Sequence, residues 1–98
     1  MNTQVKHAQP LFALGQIVAT PGALEALAQV GQRPWGLLAR HQRGDWGELD
    51  PEDRQANACA LQEGSRLLSA YTLSNGVRLW IITEHDRSVT TLLLPSEY

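Results

Sequence analysis

The sequence predicts an α+β domain in which two to three helices precede a three-stranded antiparallel meander. Three observations carry that prediction. Between Arg66 and Pro95, three apolar runs (Arg66–Leu73, Val77–Thr83 and Val89–Leu94) are rich in β-branched, aromatic and leucine side chains and are parted by two short polar breaks. Upstream, Thr20-Pro21 and Asp50-Pro51 each place a capping side chain directly before a proline, the signature of a helix start. No repeat, low-complexity tract or linker separates the two halves, so helices and sheet belong to one layered unit.

Taken in order, Met1 to Pro10 is polar and aperiodic and reads as a flexible N-terminal tail, with the single domain spanning residues 11–98. Leu11–Ala19 holds two short apolar clusters, and Ile17-Val18 is either a fourth short strand or an extended lead-in. From Thr20, an apolar stripe of Ala23, Leu24, Leu27, Ala28 and Val30 follows helical spacing until Gly31 ends it. Pro34 opens a shorter helix through Trp35, Leu37 and Leu38 to about His41. Gln42 to Leu49, with two glycines and mixed charge, is a loop. Asp50 caps a third helix whose first turn carries Glu52 and Asp53 at the positive end of the dipole. Its inner face is assigned to Ala56, Cys59, Ala60 and Leu61, and Gly64 ends it. In the sheet, Ser74-Asn75-Gly76 suits a tight hairpin turn, and Glu84–Ser88 forms a longer polar loop.

Length and composition exclude several classes. A chain of 98 residues is one domain that buries only roughly 60–65% of its unfolded surface. Its 43% hydrophobic content is too high for a disordered chain. A net charge of -2 argues against coating nucleic acid through bulk charge. The lone Cys59 rules out a disulfide framework and is expected on a buried helix face. No apolar run approaches ~18 residues and no signal core follows the N-terminus, so a cytoplasmic protein without a membrane segment is expected.

The strands do not alternate cleanly. Arg78, Trp80, Ile82 and Glu84 oppose Val77, Leu79, Ile81 and Thr83, and both sets are apolar at their centres. The last strand behaves alike, with Val89, Thr91 and Leu93 against Thr90, Leu92 and Leu94. Either helices cover both faces or the second face meets another subunit, and a homodimer is the expectation.

Candidate chemistry is sparse. His41, Asp45, Glu48 and Asp50 offer imidazole and carboxylates, but Gly44 and Gly47 intervene, so neither a metal site nor a cofactor is expected. His85 and Arg87 in the second hairpin loop, with Arg78 on a strand beside it, could move a proton and hold phosphate charge during RNA cleavage, although a solvated turn explains them as simply. Arg33, Arg40 and Arg43, with His41, Trp35 and Trp46, could touch nucleic acid by phosphate contact and stacking, although the acidic run Glu48 to Asp53 just after them satisfies those charges more simply. For Trp46 the alternatives are a lid on the small core and an exposed binding anchor.

Together, FALGQIVATPGALEAL, RGDWGELD and RLWIITEHDRSVTTLLLPSEY resemble a family of small proteins carried on plasmids, integrative elements and bacterial genomic islands, some of them named for a type I restriction enzyme subunit. The resemblance runs from Phe12 to Tyr98 and implies a bacterial mobile-element setting. It implies no activity and carries over no catalytic residue. The functional expectation is therefore a non-catalytic accessory protein contacting a host or mobile-element protein, with a small nuclease or nucleic-acid-binding module built on His85, Arg87 and Arg78 as the alternative.

Overall fold

A computed structural model describes residues 9–98; of the expected tail at Met1–Pro10, residues 1–8 lie outside the described residues. The chain runs β1 (Gln16–Ala19), α1 (Pro21–Gln29), α2 (Trp35–Gln42), α3 (Pro51–Glu63), β2 (Leu67–Thr72), β3 (Arg78–Thr83), β4 (Val89–Leu93) and a closing 3-10 turn at Pro95–Glu97. The α+β class and the meander are as the sequence predicts. Ile17-Val18 does form a fourth strand, and it pairs in parallel with β4, so the sheet is mixed and ordered β1-β4-β3-β2.

Local chemistry accounts for the boundaries. The Thr20 hydroxyl accepts from the Ala23 N–H, and the Asp50 carboxylate accepts from the Asp53 N–H, so both proline-led helices have capped first turns. The turn between β2 and β3 is a three-residue loop in which Gly76 alone takes a positive φ, 83°. The Gly76 N–H donates to the Leu73 carbonyl, and the Asn75 carboxamide oxygen accepts from the Val77 N–H. A two-residue turn would require positive φ at Asn75 as well.

Register sorts the side chains. Leu67, Ser69 and Tyr71 stand opposite Thr83, Ile81 and Leu79, and Ile81 and Thr83 stand opposite Leu92 and Thr90. That face meets α1 and α2: Ala23, Ala26, Leu27, Leu37 and Leu38 pack with Tyr71, Leu79, Ile81 and Leu92. A smaller cluster of Trp46, Ala60 and Leu67, flanked by Phe12, Leu49 and Leu61, seats α3 beside β2. The buried stripe of α1 differs from the expected one: Ala26 is inside, whereas Leu24 and Ala28 point outward. On α3 the buried positions are Asn57 and Ala60, and Cys59 is exposed rather than buried. The side chain of Asn57 explains this phase. Its amide donates to the Leu68 carbonyl and its oxygen accepts from the Leu68 N–H, which turns α3 toward the edge of β2 and leaves Cys59 outside.

Candidate functional site

Among the described residues, one sheet face has no helix over it. On that side Leu68 stands opposite Ile82, Ala70 opposite Trp80, Thr72 opposite Arg78, and Val18 opposite Thr91. Its centre is apolar. Ala70, Ile82 and Leu93 are buried yet belong to neither helix-side cluster, while Leu68, Trp80 and Thr91 are half-buried. The C-terminal turn lies over part of this face. Tyr98, itself 66% exposed, meets Trp80 edge-on at 5.8 Å between ring centres, and the Arg66 guanidinium sits 5.2 Å from the Tyr98 ring and donates to its hydroxyl. Glu97 fixes the turn by accepting from the Thr20 hydroxyl at 2.5 Å and from the N–H groups of Gly22 and Leu94. Those contacts hold its carboxyl below the usual range, the Thr20 bond first. Thr72 and Arg78 form a polar rim with Glu48: Thr72 donates to its carboxylate and Arg78 to its backbone carbonyl.

Behind the opposite face lies a buried polar relay. His41 is fully buried between Ser69, 2.5 Å from Nδ1, and Thr83, 2.9 Å from Nε2. Thr83 reaches Thr90 at 2.7 Å, and the Thr90 hydroxyl donates to the Leu14 carbonyl at 2.7 Å. That last bond sets the direction on the Nε2 side: Thr90 accepts from Thr83, and Thr83 accepts from the Nε2–H of His41. Burial pushes the pKa of the imidazole down to about 4, which favours the neutral ring, and in that ring Nδ1 accepts from Ser69. Phe12 and Trp46 close the ring off with edge contacts at 5.1 and 5.7 Å. Trp46 is 7% exposed and nearly parallel to Phe12, so it is a lid on the core rather than an exposed anchor. Nothing near His41 in sequence announced this relay. The available signal was the hydroxyls of Ser69, Thr83 and Thr90 at inward positions of otherwise apolar strands.

The other candidates are placed apart. Arg78 begins β3 and His85 follows its far end, a separation of about 20 Å along an extended chain, so the two are not brought together. His85 is exposed. Arg87 has φ 61°, and its guanidinium donates to the carbonyls of Ser65, Glu84, His85 and Ala60 while lying 5.8 Å from the Phe12 ring. It ties the end of α3 to the β3–β4 loop. Arg40 pairs with Asp45 at 2.7 Å and stacks 4.6 Å over Tyr71, whose hydroxyl donates to the Asp45 carbonyl. The guanidinium holds the Asp45 carboxyl below its ordinary pKa, and burial raises that of Tyr71. Trp35, 59% exposed, and Arg43 lie on the surface of α2 and at its C-terminal end. Asp45 is thus engaged by Arg40 and His41 by hydroxyls, and among the described residues no cluster of three His, Cys, Asp or Glu could hold a metal. No helix among them is long and apolar enough to cross a membrane. Compared with known proteins, the chain matches no family model, no curated protein and no solved structure at a significant level.

Proposed function

We propose that this protein is a non-catalytic accessory factor of a mobile genetic element that acts through protein–protein contact, and that the contact surface is the helix-free sheet face. One observation carries the reading: half-buried Leu68 and Trp80, seated over buried Ile82, with Tyr98 and Arg66 beside them and a polar rim at Thr72 and Arg78, on the side away from the described helices. An apolar centre with aromatic and arginine side chains inside a polar rim is the common anatomy of a binding surface. The residues that a nuclease would use support this reading from the other side. The Arg87 guanidinium is engaged by four backbone carbonyls, and Arg78 stands at the opposite end of β3 from His85.

Co-expression with the proteins encoded beside it, followed by capture on the purified chain, tests this. A partner retained by wild type and by Trp35→Glu, but lost with Leu68→Glu and Trp80→Glu, is the expected result. A partner insensitive to both sheet-face changes would overturn the surface. Cleavage of a mixed nucleic-acid pool that disappears in His85→Ala would overturn the function.

A further inference from the structure

The two edges of the sheet are treated differently. At the β2 edge, the outward backbone groups are all engaged as far as Ala70. Asn57 brackets Leu68, the Ala70 N–H donates to the Trp46 carbonyl, and the Ala70 carbonyl accepts from the Glu48 N–H. At the other edge stands β1, which among the described residues pairs only with β4. Gln16 donates its N–H to the Ser88 carbonyl and Thr20 to that of Leu92, so alternate residues, Gln16, Val18 and Thr20, turn their backbone toward β4. The N–H and C=O groups of Ile17 and Ala19 therefore point away from the sheet, and no described residue meets them. The strand reads Gln-Ile-Val-Ala, with no charge and no proline to discourage pairing. Ile17 and Val18 are 39% and 38% exposed, one on each face.

We propose that this edge is the contact between two copies of the chain, paired antiparallel through β1 about a two-fold axis at Val18. The occupant is chosen by self-complementarity. When Val18 faces its own copy, Ile17 faces Ala19 of the second copy. The residues whose backbones point outward are then the ones that exchange hydrogen bonds, four in all by symmetry, and the Val18 pair falls at a non-hydrogen-bonded position where side chains approach most closely. Gln16 falls opposite Thr20, so the polar ends of the strand also match. A shift of one residue would set outward groups against inward ones. The result is a continuous eight-stranded sheet with both helix layers on the same side. The proposal does not rest on the sheet-face reading, because that face remains free in the dimer.

The experiment uses the full chain. In a Cys59→Ser background, which removes the exposed native thiol, Val18→Cys is expected to form a disulfide-linked dimer on mild oxidation, because a non-hydrogen-bonded cross-strand pair has the Cα separation a disulfide needs. Ile17→Cys, whose symmetry mate is not its own neighbour, is expected to cross-link far less. In parallel, light scattering over a dilution series should give a dimer for wild type. Val18→Lys, which sets two like charges face to face, should raise the dissociation constant by about tenfold or more. Ile17→Pro should do the same, since it removes only an outward N–H and spares the bonds to β4. Both variants are expected to keep the wild-type circular dichroism. A wild-type monomer at every concentration, equal cross-linking from the two cysteine positions, or a dimer indifferent to Val18→Lys and Ile17→Pro would each overturn the proposal.

Discussion

His41 makes the stability of this protein depend on pH in a defined direction. Its folded pKa of about 4 lies below the ordinary value of 6.5, so between these limits the unfolded chain binds a proton that the folded chain does not. Stability is full above pH 6.5 and falls as the pH drops toward 4, by roughly 3 kcal/mol across the window. Urea unfolding measured at pH 7, 5.5 and 4.5 should show this slope, and His41→Leu should flatten it while lowering stability at pH 7 through the buried Ser69 hydroxyl left without its acceptor. A second residue-scale expectation concerns Gly47, at φ 78°, where a Cβ would run into the Ala70 carbonyl oxygen and the Tyr71 ring. Gly47→Ala should cost at least about 2 kcal/mol by thermal or urea melts, because both the backbone conformation and the close approach are lost.

Among the elements, α3 is held to the sheet by polar contacts more than by apolar area. Only Asn57 and Ala60 are buried along its length, and Asn57 makes two bonds to the Leu68 backbone. Asn57→Ala should destabilise by about 2 kcal/mol, read as a lower urea midpoint with an unchanged slope. Arg87 holds the other end. Arg87→Ala should lose a comparable amount, and Arg87→Lys should recover only part of it, because a single ammonium cannot reproduce the guanidinium fork over four carbonyls. These contacts also explain what could be read from the chain. Thr20-Pro21 and Asp50-Pro51 act within one helical turn, so their helices were legible. The phase of α3 was not, because Asn57 answers to a strand eleven residues further on, and apolar spacing alone favoured Cys59. Trp46 and His41 were ambiguous for the same reason: their partners Phe12, Ser69 and Thr83 lie in other elements. The mixed apolar character of β3 and β4 did announce a second face, which is the one the helices leave uncovered.

At the scale of the molecule, the last residues hold the first helix in place. Glu97 bonds Thr20 and Gly22 at the start of α1, and Tyr98 lies on Trp80. Removing Pro95–Tyr98 should therefore lower the melting temperature and shift tryptophan emission to the red as Trp80 meets water. A chain that melted unchanged after this deletion would show that the turn is ornamental. The parallel pairing of β1 with β4 has a further consequence, which concerns synthesis. Gln16 pairs with Val89, 73 residues later (89 − 16), so at ~5–20 residues per second the first strand waits about 4–15 s for β4 to be made. Until then the meander has no closing strand and Ile17-Val18 stays unpaired. A nascent chain would gain most from a chaperone in that interval, and a synonymous change that slows translation between Pro51 and Val89 would lengthen it.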